Sequence, residues 1–180
     1  MSPRQSDIAD MKCWLLRLAQ KRWRMPAVRV AQLFSEAGVY DYVTELYDLL
    51  HLSSYERPRR HRDLPYRKRV FAMLALRDSL ILYHGSYASA ECLALEGGGT
   101  SPMGFDEEAV TDEQREACAV VVMRTMLEDW CDDTGAPFDD ALDAFASSRT
   151  YELLFDFSSR QWAEGHDNLR FVWEQEKKNG

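Results

Sequence analysis

The sequence predicts an all-α protein of seven or eight helices. Three observations support this fold class. Apolar residues recur at helical spacing near both ends of the chain. Residues typical of helix starts and stops separate these segments. The two segments also resemble each other, which predicts two similar three-helix units joined by a basic linker and a central apolar helix.

The first helical unit, residues 1–52, is predicted to contain three helices with short connections. The first helix runs from about residue 6 to 24, because apolar side chains recur at i, i+3, i+7 and i+10: Ile8, Met11, Leu15 and Leu18. Pro26 suits the first turn of a second helix, and Gly38 is a typical C-terminal stop. A third helix then runs from about residue 39 to 52.

The second helical unit, residues 111–180, begins with a capping box. Thr111 and Gln114 have the spacing at which each side chain binds the other's free backbone amide, so a helix is predicted from residue 111 to about 131. Pro137 opens a short helix, and Thr150 is the expected N-cap of the next one. The last helix is predicted from about residue 167 to 178.

The two units resemble each other at a constant offset of about 111 residues. The matching pairs keep register without a gap: Pro26 with Pro137, Phe34 with Phe145, and Tyr40 with Tyr151. This register predicts an internal duplication. The alternative is chance similarity between two amphipathic helical segments.

Residues 53–110, between the units, combine a basic linker, an apolar element and a glycine-rich loop. The basic strip, residues 57–69, contains two prolines and seven cations: Arg57, Arg59, Arg60, Arg62, Arg67, Lys68 and Arg69. Residues 66–83 are predicted as a helix, and a buried strand at 80–83 is the alternative because short apolar runs fit both. Residues 97–104 form the loop.

Composition excludes several classes of protein. A chain of 180 residues is one domain or two very small ones. With 46% hydrophobic and 29% charged residues it is globular, and no apolar run approaches the ~20 residues of a membrane span. The N-terminus predicts no secretory signal. Four cysteines without Cys-x-x-Cys spacing are typical of reduced thiols in a cytoplasmic protein: Cys13, Cys92, Cys118 and Cys131.

The net charge of −8 is unevenly divided. Residues 1–90 hold 15 Lys/Arg and 9 Asp/Glu, whereas residues 91–180 hold 7 and 21. Either the two halves pack together and partly neutralise each other, or each presents a field of one sign to a partner. The sequence leaves both alternatives open.

No catalytic or cofactor motif is present. The four histidines are scattered, and no phosphate-binding loop, dinucleotide fingerprint or zinc-protease motif occurs. We therefore expect neither a metal nor another cofactor.

Two stretches of the chain resemble known families. Residues 40–51 resemble a family of small helical bacterial domains of uncharacterised function. Residues 148–157, with residues 162–165, resemble a related short family. Domains of these families are typically found beside or fused to ADP-ribosyltransferase-like domains. Residues 82–86 (Leu-Tyr-His-Gly-Ser) resemble the opening strand of those transferases, which would place His84 in a dinucleotide site.

We predict a non-enzymatic protein-interaction module. The resemblance implies an accessory or antitoxin-like partner of an ADP-ribosyltransferase-like protein, whereas a minimal transferase using His84 would lack room for its later strands between residues 86 and 111. The candidate protein-binding residues are Asp132, Asp133, Asp139, Asp140 and Trp162, although a core position is favoured for most tryptophans, Trp162 included.

The partner is expected to be another protein or a second copy of the chain. A nucleic-acid-binding regulator that uses the basic strip is the alternative, because clustered cations bind phosphates. No membrane association is expected.

Overall fold

The computed structural model describes residues 1–52 and 110–179, and every regular element in these ranges is helical. The all-α prediction is confirmed for this part of the chain. The basic strip and the apolar element at 66–83 lie outside it. Seven α-helices and two 3₁₀ turns are described: α1 Pro3–Trp23, α2 Ala27–Ala37, α3 Val39–Leu52, α4 Asp112–Thr134, α5 Phe138–Ala146, α6 Arg149–Phe155, the turns Phe157–Ser159 and Gln161–Ala163, and α7 His166–Asn179.

The first helix starts earlier than the apolar spacing predicts. Ser2 is its N-cap, and Pro3 occupies the first helical position, where a missing N–H costs nothing. The Ser2 hydroxyl accepts a hydrogen bond from the Gln5 amide, and the Gln5 side chain accepts one from the Ser2 amide. This capping box precedes the first apolar residue, so apolar periodicity alone does not detect it.

Proline and glycine define the second helix. Pro26 is the N-cap of α2, one position before the first turn in which it was expected. Gly38 ends α2 with φ +66°, a left-handed conformation that glycine adopts without steric cost, so the predicted stop is confirmed. α3 follows at once and runs to Leu52, as predicted.

The fourth helix begins as predicted and ends later. The Thr111 hydroxyl accepts from the Gln114 amide at 3.2 Å, and the Gln114 side chain accepts from the Thr111 amide at 2.9 Å. α4 continues to Thr134, where Gly135 at φ +72° ends it. The predicted end near residue 131 was too early because apolar spacing stops before the polar last turn.

The prediction that Thr150 caps the sixth helix was wrong. Ser148 is the N-cap, and its hydroxyl accepts from the Tyr151 amide at 3.1 Å. Thr150 lies inside α6 and is buried, and its hydroxyl donates to Glu176 on α7 at 2.6 Å. The same carboxylate accepts from the amides of Arg149 and Thr150 at 2.7 and 2.9 Å. A distant side chain therefore binds the free amides of α6, which local sequence does not reveal.

The core of the described structure forms around α1 and α4, which pack side by side in opposite directions. Asp10 is paired with Arg124, and Arg17 with Glu116, so positions that rise along α1 meet positions that fall along α4. α2 packs on α1 and α5, and α7 packs on α4 and α6. Both helical units contribute the fully buried side chains, which include Trp14, Leu16, Met123, Leu127, Phe145 and Trp173. The two units thus share one hydrophobic core.

The two units contain a similar aromatic contact. Phe34 and Tyr40 meet edge to face, with ring centroids 5.7 Å apart and planes at 77°. Phe145 and Tyr151 do the same at 5.7 Å and 68°. Internal duplication itself is not confirmed and stays a prediction.

Among the described helices, none has the length and the apolar composition needed to cross a bilayer.

We predict that Glu176→Gln lowers stability in a pH-dependent way. Burial opposes ionisation of Glu176, but hydrogen bonds from the Thr150 hydroxyl and two amides outweigh it and hold the pKa below its ordinary value of 4.5. A carboxyl with a lowered pKa stabilises the fold above its unfolded-state pKa, and that contribution is lost as the pH falls through its folded-state pKa. At pH 7 the variant should lose about 1 kcal/mol, as for a lost helix cap.

Urea unfolding between pH 7 and pH 3 measures this difference. The difference in free energy of unfolding between wild type and Glu176→Gln should narrow below pH 4.5. The control Glu152→Gln, at an exposed position on α6, should unfold with the same free energy as wild type throughout this pH range. A gap that is constant with pH would contradict the role given to the Glu176 carboxylate.

Candidate functional site

The acidic residues predicted to bind a partner meet where α4 turns into α5. Gly135 ends α4, and α5 begins three residues later at Phe138. The candidate carboxylates lie in the last turn of α4 and the first turn of α5, on either side of this connection. We call four of them the acidic face: Asp132, Asp133, Asp139 and Asp140. The last two lie in the first turn of α5, where the helix dipole stabilises negative charge.

The α4 side of the acidic face is open to solvent. Asp132 accepts a hydrogen bond from the amino nitrogen of Met1 at 3.0 Å, and its side chain is 60% exposed. Asp133 is paired with Arg170 of α7 and is 62% exposed. Ion pairs this exposed contribute little to stability, because water and salt screen them. Both carboxylates can therefore exchange their internal partner for an external cation at little cost.

The α5 side of the acidic face contains one shielded and one open carboxylate. Asp139 accepts from the Lys12 ammonium at 2.6 Å, and its side chain is 32% exposed. Lys12 is itself only 7% exposed and lies 5.7 Å from the centre of the Tyr40 ring. Asp140 is exposed and has no ion pair among the described residues. Asp139 thus neutralises a buried lysine, whereas Asp140 is free to meet a partner.

The neighbouring Asp143 has a structural role, because it binds side chains of the first helical unit. It accepts hydrogen bonds from the hydroxyls of Ser35 on α2 and Tyr40 on α3. Burial raises the pKa of Asp143, although these two hydrogen bonds act in the opposite direction. Burial and the Asp143 charge together raise the pKa of Tyr40 far above its ordinary value, so the phenol stays a donor. Asp143 therefore joins α5 to the first helical unit.

A buried ion pair links α1 to the start of α4. Glu116 is 9% exposed at its side chain and accepts from Arg17 Nε at 2.7 Å and from Lys21 Nζ at 2.6 Å. The Arg17 guanidinium also lies 4.1 Å from the centre of the Phe155 ring and donates to Gln20. The Arg17 side chain is only 13% exposed, so its ion pair with Glu116 and its contact with the Phe155 ring are both largely shielded from water. This network is structural and satisfies a charge that would otherwise be buried alone.

These contacts bear on the uneven charge of the chain. Cations of α1 pair with carboxylates of the second helical unit at three places, through Lys12, Arg17 and Lys21. For the described residues, the two halves pack together and partly neutralise each other. The C-terminal unit still has an excess of negative charge, because residues 110–180 hold seven Lys/Arg against sixteen Asp/Glu. The excess is exposed mainly outside the α1 interface.

The structure corrects the expectation that Trp162 is an exposed anchor. Trp162 is 4% exposed and lies in the 3₁₀ turn that packs on α4, as the core alternative has it. Its indole N–H donates to the Phe157 carbonyl at 3.4 Å, and the Arg115 guanidinium is 5.9 Å from its ring centre. The residue was expected at the surface because it lies in a turn, but this turn lies against a helix. A side chain so covered offers a partner almost no contact area.

Several predicted residues lie outside the described part of the chain. They are the basic strip, with Arg57, Arg59, Arg60, Arg62, Arg67, Lys68 and Arg69, and the transferase-like residue His84. The nucleic-acid-binding alternative and the transferase alternative both depend on them, and both stay predictions.

The described cysteines are poor nucleophiles. Cys13, Cys118 and Cys131 are all free thiols, and burial raises the pKa of each. The thiolate is the reactive form, so a raised pKa lowers reactivity at neutral pH. Within residues 1–52 and 110–179, no group of three or more His, Cys, Asp or Glu side chains is placed to hold a metal ion.

Sequence reasoning missed two features of the second unit. Glu116 falls in the buried stripe of α4, four residues before Val120 and seven before Met123, so a charge in an apolar stripe was the available signal. The second is Lys177, whose ammonium lies over two tryptophan rings. The spacing of Trp173 and Lys177, i and i+4, was the signal there.

We predict that Glu116→Ala costs far more stability than Lys21→Ala. Removing the carboxylate leaves the Arg17 guanidinium buried and unpaired, which costs about 3 kcal/mol. Lys21 binds the same carboxylate but is 53% exposed, so its loss should cost less than about 1 kcal/mol. Urea unfolding at pH 7 measures both variants. Equal losses of unfolding free energy in the two variants would show that the buried Arg17–Glu116 pair is no more important for stability than the exposed Lys21–Glu116 pair.

Comparison with known proteins finds one family for part of the chain. A family model described as "Protein of unknown function (DUF3791)" matches residues 10–57, a segment that includes most of α1 and all of α2 and α3. This supports the resemblance of the first helical unit to a domain of unknown function, and it shows no link to ADP-ribosyltransferases. Comparisons with curated proteins and with solved structures find no match.

Proposed function

We propose that the protein is a non-enzymatic interaction module that binds a basic surface of a partner protein through the acidic face. One observation carries this proposal. Asp132 and Asp133 in the last turn of α4 and Asp140 in the first turn of α5 are exposed, and none of them pairs with a buried lysine or arginine. Asp139 differs from them, because it neutralises the buried Lys12.

The charge of the C-terminal unit supports the same proposal. An excess of carboxylates produces a negative field that attracts a basic partner and accelerates its encounter. Three described groups with raised pKa values, Tyr40, Asp143 and Tyr151, make hydrogen bonds between helices, and this structural role is in keeping with a non-enzymatic function.

The partner is proposed to be a protein, and an ADP-ribosyltransferase-like protein is the first one to test. That choice rests on the sequence resemblance of residues 40–51, 148–157 and 162–165 alone. A partner of this kind would need Lys/Arg residues on the surface that meets the α4–α5 turn, since exposed carboxylates discriminate by charge.

We predict that the triple variant Asp132→Lys/Asp133→Lys/Asp140→Lys weakens partner binding at least tenfold at 50 mM salt and that added salt no longer lowers its affinity. Reversed charges repel a basic surface, so salt screens a repulsion in the variant where it screens an attraction in the wild type. Asp139 is left unchanged because a lysine there would oppose the buried Lys12. The partner is first captured by pull-down in the presence of nuclease, and its Kd is then measured at 50 and 300 mM salt.

A matched control reverses three exposed carboxylates elsewhere in the C-terminal unit: Glu113, Glu152 and Glu164. It changes the net charge equally but leaves the acidic face intact, so binding should fall much less. Circular dichroism checks that both variants fold. If the control loses as much binding as the face variant, or if the face variant binds normally, the acidic face is not the docking site.

A further inference from the structure

The last turn of α7 places an ammonium group between two indole rings. Lys177 Nζ lies 3.5 Å from the ring centre of Trp173 and 4.1 Å from that of Trp130. The two rings are 5.2 Å apart, with their planes at 55°. One cation therefore contacts the faces of two tryptophans from different helices, α4 and α7.

This arrangement favours cations on physical grounds. The face of an aromatic ring carries negative charge, and tryptophan attracts a cation within about 6 Å more strongly than the other aromatic residues do. Burial lowers the pKa of Lys177, and the Glu174 carboxylate opposes that shift. Asp133 follows Trp130 by three residues on α4, which puts the two side chains on the same side of the helix.

The rings do not need Lys177 to stay in place. Trp173 is 1% exposed and meets the Phe145 ring edge to face, with centroids 5.2 Å apart and planes at 83°. Lys177, by contrast, is exposed at the end of α7 on a flexible four-carbon chain. The ring pair is thus rigid and its occupant is able to move.

We propose that Trp130 and Trp173 form a binding site for a methylated ammonium group, and that Lys177 is an internal competitor for this site. A methylated ammonium is less strongly hydrated than the primary ammonium of lysine, so it loses less free energy on leaving water. It therefore competes with the Lys177 ammonium for the same two ring faces. This inference does not depend on the acidic face and is tested separately from it.

Removing the competitor should expose the site. Isothermal titration calorimetry of the full chain with tetramethylammonium chloride, at constant ionic strength, compares wild type, Lys177→Ala and the matched control Lys178→Ala. Lys178 is exposed in the same turn and has no ring contact among the described residues. We expect Lys177→Ala to bind at least about tenfold more tightly than wild type, and Lys178→Ala to bind like wild type. Equal affinity in all three proteins would overturn the proposal.

Two further measurements separate a cation site from an apolar pocket. Neopentyl alcohol, a neutral molecule of similar shape, should bind Lys177→Ala at least tenfold more weakly than tetramethylammonium, and equal binding would overturn the proposal. In the double variant Lys177→Ala/Trp130→Ala, the increase in tetramethylammonium affinity should disappear, because one of the two rings is lost. Retention of the gain without Trp130 would also overturn it.

The single variant Lys177→Ala also distinguishes two sources of a methylated ammonium group. Choline represents a small quaternary ammonium ligand, and a short peptide containing trimethyllysine represents a modified protein tail. Tighter binding of either one than of tetramethylammonium supports the site and identifies the source. Binding of neither choline nor the peptide to Lys177→Ala would contradict it.

Discussion

The antiparallel contact of α1 with α4 is the constraint on which the rest of the structure depends. Three ion pairs cross it in order, from Asp10 with Arg124 through Arg17 with Glu116 to Lys21 with the same Glu116, and Met1, just before α1, pairs with Asp132. Sliding one helix by a turn would leave Arg17 and Glu116 desolvated without a partner, which is far more costly than losing an exposed pair. The buried pair therefore specifies the register, while the apolar side chains between the helices supply most of the stabilising free energy.

The same contact decides which carboxylates remain available for binding. Cations of α1 neutralise the inner acids, Glu116 and Asp139, and hydroxyl groups of the first unit engage Asp143. The carboxylates beyond their reach, Asp132, Asp133 and Asp140, face solvent at the α4–α5 turn. An acidic surface of this kind follows from packing a nearly neutral helical unit against a strongly acidic one. The proposed docking function uses these exposed carboxylates, which the fold does not need for its own stability.

Local sequence predicted most of the helices but not the contacts between them. Apolar spacing together with Gly38, Thr111 and Pro137 placed the end of α2 and the starts of α3, α4 and α5 well, since caps and breakers act within a few residues. Thr150 was misassigned because Ser148, two residues earlier, is the N-cap of α6, and because Thr150 itself binds Glu176, which is 26 residues away. Trp162 was misjudged for a similar reason, because its burial depends on how a turn packs against α4. The acidic residues were found as a run in the sequence, whereas their division into structural and exposed carboxylates needed the three-dimensional partners.

Because the two helical units share one hydrophobic core, we predict that they unfold together. Five tryptophans report on them, with Trp14 and Trp23 in the first unit and Trp130, Trp162 and Trp173 in the second. The protein labelled with 5-fluorotryptophan gives one ¹⁹F resonance for each, and urea titration follows all five at once. We predict that the five native resonances disappear with the same midpoint and slope. Loss of the Trp14 and Trp23 resonances at a urea concentration where the other three remain native would contradict a single core built on α1 and α4.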